Sequence, residues 1–304
     1  MSASGTWLSP LWDYRYTSPT PEQLRERREL LTLRGQYAQL STLLLILFFS
    51  AYRLCARRIR SSGRGKNHDA KSSSLPLSVW LDSPLMRSGA ETRRQYLVAT
   101  VWMAWLLALS AWRTGNDYLH FTKSLGHTAL ATIPFNLLLS PKLSTTTHPF
   151  NLVCSHLLHL PQTHLTPYHL LFGRLVIPTL ISLHSALYLM FFVENGVLEK
   201  RLNDPDVQIG IIGGWILVLL WGTSGWVVGW VRGQGNPTSR SSGSGSKSKR
   251  MAYVVHVALV IVLLGAVYFH VEHARKFVVQ ALMIYGVDVG SWVIKRLYRS
   301  GVRV

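Results

Sequence analysis

Apolar residues gather along this chain into seven runs, at about 38–54, 95–112, 125–141, 168–193, 208–231, 252–271 and 277–294. Each reaches or approaches the roughly 17–25 residues that an α-helix needs to cross a bilayer. The runs lack the strict alternation of a half-buried strand. They predict an all-α, polytopic membrane helix bundle of about seven transmembrane helices. Pro134 interrupts the third run; a proline at membrane depth implies burial among other helices. Between the runs the chain turns polar. Residues 61–74 and 232–250 are filled with Ser, Gly, Lys and Arg, a composition that does not build a packed core. Residues 1–35 form a polar tail, in which Pro21 to Leu33 reads either as a short helix capped by Thr20 or as a surface tail of mixed charge. No charged start and apolar core precede a small-residue cleavage site, so no cleaved signal peptide is expected. The organisation is thus a tail (1–35), a first helix with a basic loop (36–94) and a helical domain over 95–300.

Composition changes what the basic residues mean. The 304 residues are 48% hydrophobic, with 11 tryptophans and a net charge of +18. On a soluble protein such charge would suggest nucleic acid; on a membrane protein it reports topology and attraction to anionic lipid. The basic loops carry no interleaved aromatics, and no nucleic-acid partner is expected. With the 53–94 loop in the cytosol, 20 Lys and Arg fall in cytosolic segments and 11 opposite, which puts the N-terminus outside and the C-terminus in the cytosol. Cys55 and Cys154 form no CxxC and both lie on the cytosolic side, where thiols stay reduced. The loop 142–167 carries His148, His156, His159 and His164, donors suited to zinc, but no cysteine pair or HExxH accompanies them. The fifth run, with Gly213-Gly214-Trp215 and Gly222 to Trp230, has small residues at spacings that allow close helix approach.

Four further histidines carry the chemistry. His169 and His184 lie on the fourth run, His256 and His270 on the sixth. A helix turns roughly 100° and rises about 1.5 Å per residue. The 14 residues from His256 to His270 give about 1400°, about 40° short of four turns, so both rings share a face about 21 Å apart. The 15 residues from His169 to His184 give about 1500°, about 60° past four turns. By the basic-residue bias these two helices are parallel, so His169 faces His256 near the cytosolic leaflet and His184 faces His270 near the outer one. Two axial imidazoles are what a six-coordinate haem iron requires, and bundle interiors are where such sites are built. Two haem sites between two parallel helices are expected, with haem b held without covalent attachment. The alternative is a haem-free multi-pass protein in which the histidines only pack. Arg174, an arginine at membrane depth, needs an anion; a haem propionate or Asp288 would supply it.

These residues resemble a known family. His169-x-x-x-Gly173-Arg174, followed by a second histidine about four turns on, resembles the ferric reductase-like transmembrane domain, a family that includes fungal ferric reductases and the NADPH oxidases. Ser124 to Asn136 is similar to the helix that precedes the family's first ligand helix, and Tyr285-Gly-Val-Asp288 with Lys295-Arg296 to its last helix. The likeness spans about 95–300, and the additional first helix is similar to the fungal reductases. It implies a transmembrane b-type cytochrome, ferric or metalloreductase-like, that moves single electrons to an external acceptor such as ferric iron, most naturally in the plasma membrane. Family members continue into an FAD- and NADPH-binding portion. No FAD or NADPH site is expected in this chain, so a flavoprotein reductase partner is implied; a truncated reductase without turnover is the other outcome. His148-Pro-Phe-Asn151 resembles a flavin-motif fragment but precedes the ligand helices and is taken as coincidence. The first pair is one residue wider than is usual in the family. Pro178 lies inside it and removes a backbone donor, which provides for a kink or wide turn to absorb that residue. His273, one turn beyond His270, competes with it as a ligand.

Overall fold

The computed structural model describes residues 14–62, 76–85, 91–141, 149–152, 162–233 and 244–300. His148, His156, His159 and Cys154 lie outside the described residues, as does most of the loop 232–250. Among the described residues the fold is all-helical: α1 (Pro21–Ser62), α2 (Pro76–Asp82), α3 (Arg93–Ala111), α4 (Tyr118–Leu139), α5 (Pro149–Leu152), α6 (Gln162–Leu171), α7 (Ile177–Glu194), α8 (Leu198–Leu202), α9 (Pro205–Gly233), α10 (Ser244–His270) and α11 (Arg275–Arg299). Four stretches are long and apolar enough to cross a membrane: Gln162–Glu194, Pro205–Ser224, Met251–His270 and Glu272–Tyr298. These are the fourth to seventh runs of the sequence. The first three also form long helices, with more polar ends: Arg25 to Arg28 in α1, Arg93 to Gln95 in α3, and His120, Lys123 and His127 in α4. Of the two readings of Pro21–Leu33, the helix is the one present, and it does not stop there. It continues through Gly35 into the first apolar run as one 42-residue helix.

Local chemistry sets the helix ends. Thr20 and Gln23 make a reciprocal capping box at the start of α1: the Thr20 N–H donates to Gln23 Oε1 at 2.9 Å, and the Gln23 N–H to Thr20 Oγ1 at 3.3 Å. Thr92 and Gln95 repeat it at the start of α3, at 2.8 and 3.4 Å. Asp117 caps α4 by accepting the His120 N–H at 3.1 Å. α7 ends in a Schellman turn, in which Val197 N–H reaches the Phe192 carbonyl at 2.9 Å and Gly196 N–H the Val193 carbonyl at 3.1 Å. Gly196 takes φ +63° there, which glycine adopts without a Cβ penalty.

Between α6 and α7 the helix does not break but widens into a π turn, Phe172–Val176. Pro178 explains its position. The proline has no N–H for the preceding turn, and its ring crowds the carbonyl four residues back, at Arg174. An i→i+5 turn takes up one residue more than an α turn. The wide turn expected from Pro178 is therefore present, and it absorbs the extra residue of the first histidine pair.

The described chain forms two compact units. The first comprises Met1–Thr32, Ser110–Leu130 and Ile177–Val278. Its core holds Leu125, Ala129, Leu180, Leu264, Ala274 and Phe277. α4 and α7 run antiparallel here, tied by Tyr118, whose hydroxyl donates to the Leu187 carbonyl at 2.8 Å. α9 and α10 pack along one another, also antiparallel, with the start of α9 beside the end of α10 and Gly213 against Leu263. Arg27 pairs with Asp117, and Tyr16 donates to Glu194 while stacking edge-on against Tyr118 and Phe191. The second unit comprises Leu33–Leu109, Ala131–Val176 and Val279–Val304. Ala38, Ala99, Leu106, Phe172 and Val176 form its core, with Trp102 stacked on Phe172 at 6.4 Å. Gln39 donates to Gln280 Oε1 at 2.6 Å and joins α1 to α11. Pro134 is buried, as its place in an apolar run implied. Large apolar side chains such as Leu44, Phe48, Trp215, Val218, Phe269 and Ile294 face outward. Exposed apolar surface on this scale suits contact with lipid rather than water.

Candidate haem-ligand site

In three of the four histidines identified from spacing, one ring nitrogen meets a main-chain carbonyl. His184 Nδ1 lies 2.7 Å from the Thr122 oxygen on α4, and His270 Nδ1 lies 2.6 Å from the Asp206 oxygen at the start of α9. Both contacts are within the first unit. In the second unit, His169 Nδ1 lies 2.9 Å from the Asn136 oxygen near the end of α4. A carbonyl only accepts, so in each case Nδ1 carries the proton and the lone pair falls on Nε2. That tautomer presents a metal-ligating nitrogen and orients the ring through its other nitrogen.

His256 differs. Its Nδ1 is buried and has no hydrogen-bond partner among the described residues. The ring is half-buried on α10, in the first unit, whereas His169 belongs to the second. His184 also stacks edge-on against Tyr188 at 5.0 Å. His273 sits exposed in the short 3-10 turn Glu272–Ala274, away from the packed position that His270 occupies at the end of α10. Arg174 lies half-buried on the π turn, and Asp288 is buried on α11.

The π turn changes the helix arithmetic. With one residue absorbed, the 15 steps from His169 to His184 count as 14 of regular helix, about 1400°. This matches the pair on α10, so each helix carries its histidines in the same register. The donor set fits a bis-imidazole iron porphyrin at His169, His184 and His270, which have the required tautomer; His256 lacks the carbonyl partner. Among the described residues no three His, Cys, Asp or Glu side chains cluster as a metal site of their own. His164, of the zinc-suited loop, is exposed on α6.

Sequence reasoning missed the partners of these rings. The acceptors at Thr122, Asn136 and Asp206 are main-chain carbonyls, which leave no mark in side-chain identity. Gly126 and Gly210, each one turn beyond an acceptor, lie directly against His184 and His270. Their only signal is a glycine within a helical run.

Neither the comparison with curated proteins nor that with solved structures gives a match. The comparison with protein families does: the match covers residues 125–267, taking in His169, His184 and His256 and ending just before His270. This chain is an integral membrane protein, and over residues 125–267 it is similar to the family described as the ferric reductase like transmembrane component.

Proposed function

We propose that this protein is a transmembrane b-type cytochrome that moves single electrons across a membrane. His169 and His256 would hold one haem b toward the cytosol, and His184 and His270 a second toward the outside. The observation that carries this reading is the shared tautomer of His169, His184 and His270, each with Nδ1 held by a backbone carbonyl and its lone pair on Nε2. A haem held by these histidines would supply one-electron chemistry at its iron. The chain's own residues do the rest. The carbonyls of Asn136, Thr122 and Asp206 fix ring orientation and ligand basicity, the apolar helices exclude water, and Arg174 on the π turn offers a cation to a propionate. His270 rather than His273 is the outer ligand, because its ring is already held.

Electrons enter from a separate flavoprotein reductase and leave to an external acceptor such as ferric iron. The seven helices span the plasma membrane with the C-terminus in the cytosol, and the basic cytosolic segments bind anionic lipid.

The test is a reduced-minus-oxidised absorbance spectrum of the purified protein, with a haem-to-protein ratio, for wild type, His256→Leu and His270→Leu. Two low-spin haems in wild type and one in each variant are expected. Wild-type haem content in both variants would overturn the ligand assignment. Purified wild type with no bound haem would instead leave the histidines as packing residues.

A further inference from the structure

The contacts of His184 and His270 repeat a single arrangement on two unrelated helices. His184 Nδ1 reaches the Thr122 carbonyl, and four residues on, its ring lies against Gly126. His270 Nδ1 reaches the Asp206 carbonyl, and four residues on, its ring lies against Gly210. The spacing has a geometric cause. In an α-helix the carbonyl of residue i points toward residue i+4. A ring nitrogen that approaches this carbonyl from the side therefore lays its ring over residue i+4. A Cβ at Gly126 would stand 2.8 Å from both Cε1 and Nδ1 of His184; one at Gly210 would stand 2.7 Å from Cε1 of His270. Both are inside van der Waals contact. The ring is held at its root by its own helix and at Nδ1 by the carbonyl, so it yields only by giving up that bond.

We infer that Gly126 and Gly210 are positioning residues, each forming with the preceding carbonyl a seat for an imidazole. The seat fixes the Nδ1–H tautomer and aims Nε2 of His184 and of His270. Its consequence for a metal rests on the reading of these histidines as iron ligands; the seat itself does not. Gly214 on α9 and Gly265 on α10 have nothing within 4 Å of the same position. They provide controls in which alanine merely improves helix propensity.

Solid-state NMR of the ¹⁵N-histidine-labelled, haem-depleted protein in lipid reads the seat directly. His184 and His270 should both show the Nδ1–H tautomer in wild type. Gly126→Ala should abolish that signature for His184 alone and Gly210→Ala for His270 alone, while Gly214→Ala and Gly265→Ala leave both in place. A Nε2–H tautomer at these histidines in wild type overturns the proposal without any variant, as does an unchanged tautomer in Gly126→Ala and Gly210→Ala. Where a seat variant assembles poorly, the comparison moves to a His184→Ala background: with the ring gone, Gly126→Ala should cost no stability, and a persistent cost there overturns the proposal. In haem-loaded protein, Gly126→Ala and Gly210→Ala should shift the same one of the two low-spin electron paramagnetic resonance signals. Wild type that shows the tautomers but binds no haem would remove the ligand reading and leave the seats standing.

Discussion

Tyr118 shows how one side chain can report on the packing of two helices. Its hydroxyl donates to the Leu187 carbonyl, and its pKa is pushed up to about 12 by burial first and by the charge of Glu194 second. The folded protein therefore holds this proton more tightly than the unfolded chain, whose phenol titrates near 10.0. A raised pKa means that the stabilisation is complete below about pH 10 and is lost as pH rises toward about 12. We expect Tyr118→Phe to cost about 1 kcal/mol at neutral pH through the lost hydrogen bond, with the gap to wild type closing above pH 10. Unfolding in denaturant across that pH range measures it. The two capping boxes give a second prediction at this scale. Thr92→Ala should cost about 1 kcal/mol and raise amide exchange in the first turn of α3 without changing haem content. Helical spacing singles out four histidines in the sequence, and three of them, His169, His184 and His270, meet a main-chain carbonyl. Those carbonyl partners were not legible, since any residue offers a carbonyl and only the packing of α4 on α7, or of α9 on α10, decides which one is met.

At the scale of elements, runs of apolar residues located the seven long helices among the described residues, and Pro178 pointed to the π turn. The sequence did not reveal that α1 is continuous, because Pro21 to Leu33 and the apolar run from about 38 read as separate pieces; burial of Ala38, with Leu30 and Leu31 buried two turns earlier, overrides that local signal. The π turn makes an unusual prediction. A deletion in a ligand helix ordinarily rotates everything beyond it by about 100°. Here, deleting Leu175 together with Pro178→Ala should turn the π segment into regular helix and keep His169 and His184 on one face. Haem content should then match wild type. Inserting one alanine after Leu175 should instead lose the His184 site. Equal haem loss in both variants would show that the π turn does not set the register.

At the scale of the whole molecule, the excess of basic residues on one side predicts orientation. A protease cleavage site at the N-terminus should be cut from outside intact cells and one at the C-terminus should be protected. The reverse pattern would invert the direction of electron flow. The membrane class and the likeness to the ferric reductase like transmembrane component were legible from the sequence because apolar run length and the His-x-x-x-Gly-Arg stretch are local signals. The division of the fold into two units was not, because long helices such as α1, α4 and α11 contribute residues to both.

The helix from Gln162 to Glu194 has one more consequence, which concerns the bilayer. Its 33 residues extend about 50 Å, whereas the hydrocarbon layer is about 30 Å thick. Both ends are tied to protein. Gln162 donates to the carbonyls of Leu139 and Ser140 at 2.9 and 2.6 Å, and the other end closes in the Gly196 turn with Glu194 bonded to Tyr16. A helix held in this way does not shorten to suit a thin membrane; it answers a change in thickness by tilting. Lipid chain length then becomes a variable that acts on the depth at which the histidines of this helix sit.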